Sequence, residues 1–226
     1  MHLVINTLNS ISSRYAPSRA LSFGSAHVFK ALQLINREGF VSRHLLIEEL
    51  ELGEGSIKTL IKHLKMEKMI ITTNKGTTMS DRGRKIFEEM SKYICSESKI
   101  PKSNISVSEF NYAILLRHLK FAIKQGVEQR DAAIKMGAQG ATTLIFKDGK
   151  FLIPGSSYNA LKDEKNVERI LKDKLNPIND DVIIIASDNS SYIIAELASK
   201  AAALYTLQNH VDHKEIDSKI ALNNSY

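Results

Sequence analysis

Residues 41–85 place two short amphipathic helices, a glycine break and a hairpin in immediate succession, and few folds accommodate that order. Residues 41–50 keep helical spacing, Gly53-Glu54-Gly55 interrupts them, and a second helix follows over about 55–66. In that helix Ile57, Leu60, Ile61 and Leu64 recur at i, i+3, i+4 and i+7 and form one apolar stripe. Ile70-Ile71-Thr72-Thr73 and Thr77-Thr78-Met79 then read as strands turning through Asn74-Lys75-Gly76, a wing at 70–79. A helix pair at this spacing is a helix-turn-helix, a motif whose second helix enters the DNA major groove.

The flanks extend this unit. Ser25 is placed to cap a helix over 26–37 that Gly39 ends, and Ser80-Asp81 to cap another that runs to Tyr93 with Ile86, Phe87 and Met90 inward. Residues 1–23, broken by Pro17, give no firm element. The polar run 95–104, which contains Pro101, reads as a linker. The expected division is a winged helix-turn-helix domain over 1–94 and a second domain over 105–226.

The second domain alternates strands and helices. Residues 110–119 read as a strand with some helical character, and 127–136 as a helix ended by Gly137. A hairpin over 141–146 and 150–153 turns through Lys147-Asp148-Gly149. A helix over 167–175 and an apolar strand over 182–186, buried on both faces, come next. An alanine-rich helix capped by Ser190 or Ser191 runs to about Leu207, suited to packing on its own sheet or to a dimer surface. The tail after His210 is polar and expected to fray. The fold class is α+β: an N-terminal winged helix-turn-helix domain followed by a C-terminal α/β domain with a central sheet.

Charge and composition narrow the function. Of 31 Lys and Arg and 25 Asp and Glu, 15 and 10 fall in residues 1–100, so the first half carries most of the excess. Phosphate contacts require such an excess, although many proteins without a nucleic-acid partner share it. No apolar run approaches the ~18–20 residues of a membrane span. The single Cys95 excludes an intrachain disulfide and a cysteine-rich zinc site. A cytoplasmic protein is the expectation.

The candidate DNA contacts lie opposite the apolar stripe: Lys58, Thr59 and Lys62, with His63 at the edge. Ser56 sits near the positive helix end, Lys75 at the wing tip, and Arg43 at the start of the first helix, within reach of backbone phosphate. In the second domain Thr142 and Thr143, Ser156 and Ser157, and Asp188 mark loops suited to a small molecule. They are also where an active site would lie in a rival reading, an enzyme with a fused winged helix. The chain lacks the common nucleophile-elbow, phosphate-loop and zinc-protease motifs. His210 and His213, with Asp212 between, lack a third ligand. Neither catalysis, a metal nor a cofactor is expected. The expected partners are double-stranded DNA, a second copy of the chain, because one recognition helix reads too few bases, and a small-molecule effector.

The stretch 26–90 resembles the winged helix-turn-helix of MarR-, ArsR- and TrmB-like prokaryotic regulators. The resemblance rests on the helix pair, on Leu64-Lys65-Met66-Glu67-Lys68-Met69-Ile70, and on Met79-Ser80-Asp81-Arg82-Gly83-Arg84-Lys85, in which Met79 replaces the usual Leu. Through 15–24 and 126–143 the chain is also similar to an archaeal family in which such a domain precedes an uncharacterised C-terminal domain. That resemblance implies a transcription regulator and supplies neither ligand nor catalytic residues.

Overall fold

The structure, a computed structural model, describes residues 2–13 and 21–209. Helix α1 (His2–Ser13) occupies part of the segment that sequence left unassigned, and residues 210–213 lie outside the described residues. Helix α2 (Ser25–Glu38) is capped by Gly24 rather than by Ser25, and the Gly24 N–H donates to His27 Nδ1 at 3.2 Å. Gly39 ends it at φ 74°. Helices α3 (Arg43–Leu50) and α4 (Glu54–Met66) are the expected pair, joined through Glu51 in the left-handed conformation. The antiparallel strands β1 (Ile70–Thr73) and β2 (Gly76–Met79) form the wing. Helix α5 (Asp81–Ser91) starts where the Ser80 hydroxyl accepts the Gly83 N–H. This is a winged-helix-like arrangement.

The second half is built on one five-stranded antiparallel sheet. Its strands are β3 (Ile94–Ile100), β4 (Phe110–Leu116), β5 (Gly140–Lys147), β6 (Lys150–Leu152) and β7 (Val182–Asp188), in spatial order β3-β4-β7-β5-β6. Strand β7 is buried along its whole length because it is central and covered on both faces. Helix α7 (Lys165–Leu175) covers one face, where Leu171 and Leu175 meet Leu115, Ile183 and Ile185. Helices α6 (Val127–Lys135) and α8 (Tyr192–Gln208) cover the other.

Two expectations change here. Residues 95–104 are not a linker, since 94–100 form edge strand β3, paired with β4 from Ile94↔Leu116 to Ile100↔Asn111. An edge strand keeps one side in solvent, so only its ends, Ile94 and Ile100, need be apolar and buried. Nor does the core stop at that point. One apolar cluster runs from Leu8, Leu32 and Leu60 through Tyr93 to Ile184, Ala203 and Leu207, so both halves share it. Helix α8 lies inside this seam, between α2 and the sheet. Its alanines 195, 198, 202 and 203 are fully buried within the molecule and are not a dimer surface.

Candidate nucleic-acid interface

Helix α4 owes its orientation to its apolar stripe: Ile57, Leu60 and Leu64 are fully buried against the helices beneath. The stripe turns Lys58 and Lys62 outward, both exposed. Lys65, absent from the expected face, is exposed beside them. At about 100° per residue it falls about 20° from Lys58, so the signal was present in the sequence. Thr59 is half-buried, and its hydroxyl donates to the Gly55 carbonyl within the helix at 2.9 Å. Ser56 shares a 2.9 Å hydrogen bond with the Ser22 hydroxyl.

His63 is not part of this face. Its ring is buried, with Nδ1 2.8 Å from the Ile11 carbonyl and its edge toward Phe23 at 6.0 Å between centroids. Helix α1 packs along this flank of α4 and turns the edge of the outer face into interior. Nothing in residues 41–85 alone announces that.

The wing is held to the helix pair by two backbone hydrogen bonds between Val41 and Thr77, each 2.9 Å. Gly76 sits at φ 126°, and a Cβ there would meet the Val41 carbonyl oxygen at 2.7 Å. Lys75 is exposed at the tip, its N–H held by the Thr73 hydroxyl at 3.2 Å. Arg43 is exposed at the start of α3, whose first turn the Ser42 hydroxyl caps through the Leu45 N–H.

One acidic group interrupts the basic surface. Glu54, in the first turn of α4, lies 2.8 Å from Lys58 Nζ and 3.8 Å from Arg43. The hydrogen bond and charge of Lys58 hold its carboxyl below the usual carboxylate range. Two expected phosphate contacts therefore share an internal counter-ion.

The five candidate ligand residues do not converge. Thr142 and Thr143 are successive on β5 and point to opposite faces of the sheet. The Thr142 hydroxyl donates to the Ile105 carbonyl at 2.7 Å, and Thr143 is buried against Gly126. Ser156 and Ser157 are exposed in the loop after the edge strand β6. Asp188 ends the central strand, where its carboxylate accepts from the Ser190 hydroxyl and the N–H groups of Ser190 and Ser191. Burial raises its pKa, but these donors outweigh it and hold the group ionised below its usual range. It fixes the entry to α8.

Together the described residues join a helix pair with a small wing to an antiparallel sheet through a common core, and no helix among them is long and apolar enough to cross a membrane. Residues 34–85 match the family model for the PH0730-like N-terminal domain, and residues 107–207 match a domain of unknown function, DUF4443. Among solved structures the chain is similar to hypothetical protein PH0730 from Pyrococcus horikoshii OT3, at 22% identity and a TM-score of 0.66. The match covers 83% of this chain and 95% of that one. At that identity the likeness is one of fold. No curated protein matches the chain.

Proposed function

We propose that the protein is a transcription regulator that binds double-stranded DNA, with α4 in the major groove and the wing on a flanking groove or backbone. The observation that carries this reading is the outward row Lys58, Lys62 and Lys65 on α4, with Lys75 presented by a wing bonded to the same helices. Ammonium groups on one rigid body neutralise successive phosphates and release counter-ions. One such helix reads few base pairs, so the active species is a homodimer on two half-sites about 34–36 Å apart. The second half serves dimerisation, effector sensing or both.

Selection from random duplex DNA at two salt concentrations tests this. An enriched palindrome supports the reading, and salt-sensitive retention without any motif removes sequence-specific regulation from it. The double variant Lys58→Ala/Lys62→Ala should bind more weakly, with a salt slope shallower by about 2, at an unchanged melting temperature. Unaltered affinity would reject α4 as the contact helix.

A further inference from the structure

Helix α6 leaves one face without cover. Its inner side packs on the sheet and on α8: Ala133 clusters with Ala186 and Ala198, and the Gln129 side chain donates to the Thr206 hydroxyl at 2.9 Å. Its start is fixed as well, since Gly126 sits at φ 83° so close to β5 that a Cβ there would meet the Thr143 Cβ at 2.9 Å. The opposite face carries Val127, Arg130, Asp131 and Ile134, all exposed. Positions i, i+3, i+4 and i+7 share one side of a helix, so the four form a single strip on a firmly held element.

The strip complements itself. Positions 127 and 134 lie equally far from its centre, as do 130 and 131, so reversing the helix direction exchanges valine with isoleucine and arginine with aspartate. Laid antiparallel on a second α6, each Val127 meets an Ile134 and each Arg130 an Asp131. Val127 and Ile134 are 42% and 47% exposed. Arg130 and Asp131, 3.0 Å apart within the chain, are 51% and 52% exposed. Crossing two copies turns that pair into a ring of four alternating charges. The other charges on the helix, Glu128 and Lys135, add one of each sign, so the surface as a whole is neutral and does not repel its own copy. Tyr205 of α8 extends the strip. It falls about 20° around its helix from Ala198, at the end where Thr206 meets Gln129, and is 38% exposed there.

We propose that this face of α6 is the homodimer contact, pairing antiparallel with α6 of a second copy about a twofold axis between Arg130 and Asp131. The proposal rests on the regulator reading for its occupant, a second copy, and an isologous contact requires a patch that complements itself. A nine-residue helix is about 14 Å long, so the contact falls short of the ~800 Å² per partner of a standard interface. The free dimer is therefore weak, populated at about 100 µM, and at lower concentration where two DNA half-sites hold the copies side by side.

The test is sedimentation equilibrium of the full chain, without DNA, from about 5 to about 500 µM, with charge-reversed variants alone and mixed. Arg130→Asp sets carboxylates against carboxylates and Asp131→Arg sets guanidiniums against guanidiniums, so each should self-associate at least about tenfold more weakly than wild type. An equimolar mixture of the two should associate as wild type does, because each carboxylate pair then faces a guanidinium pair. Both side chains are half-exposed, so both variants should melt with the wild type. Should either melt lower, Val127→Arg and Ile134→Glu take their place: each alone weakens the pairing, and their mixture, in which the new charges oppose, regains it. A chain monomeric throughout the range, a dimer that survives the reversals, or a mixture no better than its components would overturn the proposal. A surviving dimer still permits a homodimeric regulator, and DNA selection without any motif removes the regulator while leaving this contact.

Discussion

Helices α4 and α8 both start at an extended cap residue and use lysine in opposite ways. Helix α4 buries one stripe and leaves Lys58, Lys62 and Lys65 in water. Helix α8 is covered on several sides and encloses its only lysine, Lys200, completely. A solvated lysine costs the fold almost nothing and is available to a partner. An enclosed one must be matched by carboxylates from other elements and so fixes how those elements meet. Chemistry of the first kind is legible along one helix, and of the second kind only between elements.

Substitution of the two lysine types should separate them widely. Lys200→Ala leaves Glu97 and Glu196 without their shared cation and should destabilise the protein by about 3–5 kcal/mol in urea unfolding, against about 0.5 or less for Lys62→Ala. Equal effects would erase the contrast. Next in size, Gly83→Ala should cost about 3 kcal/mol, since its Cβ would fall 2.1 Å from the Met69 carbonyl oxygen where α5 meets the wing. A loss under about 0.5 kcal/mol would mean that α5 slides freely on the wing, and the wing-bearing half would then be the softer one.

A third test uses acid. Burial, and then Lys30, lowers the pKa of His27 from 6.5 to about 4. Its neutral ring accepts the Gly24 N–H, so the fold binds its proton later than the unfolded chain does. Stability from this group is whole above about pH 6.5 and drains as the pH falls toward 4, by up to about 3 kcal/mol. His27→Asn retains an acceptor for the cap and should flatten that part of the pH profile. A wild-type and a variant profile of the same slope would show that His27 protonates freely. The smallest expected effect lies on α4: Glu54→Gln frees Lys58 and Arg43 and should tighten DNA binding a few-fold and steepen its salt slope. Weaker binding would instead make Glu54 a base contact, of the kind carboxylates make to cytosine.

Much of the architecture could be read from periodicity. The stripe on α4, the wing hairpin, the buried strand β7 and the capped start of α8 all stand near where spacing and cap residues put them. What escaped shares a physical cause. Strand β3 carries Cys95, Ser96, Glu97, Ser98 and Lys99 between two isoleucines, and an edge strand with one wet side lacks the apolar alternation that marks a strand. Helix α1 mixes Asn6, Thr7, Asn9 and Ser10 with its apolar positions, so its docking on α4 was invisible, and with it the burial of His63. A cleft between the two halves joins residues from 30 to 196, a distance in sequence over which no local pattern extends. Thr142 and Thr143 lie on β5, Asp188 ends β7 and only Ser156 and Ser157 are in a loop; residue type does not reveal on which face of a sheet a residue lies.

Lys30 of α2, Glu196 and Lys200 of α8 and Glu97 of β3 form a chain of ion pairs across the two halves, and it has a thermal consequence. Enclosing charge becomes less unfavourable as temperature rises, because water hydrates ions less well when hot, while apolar burial gains little further. Warming should therefore favour this joint relative to the purely apolar contacts around it. Amide exchange followed over a range of temperatures should show the α8–β3 seam keeping its protection after the wing has lost its own, and the reverse order would refute it. On that behaviour the molecule softens on heating from its wing inward, with its two halves still joined.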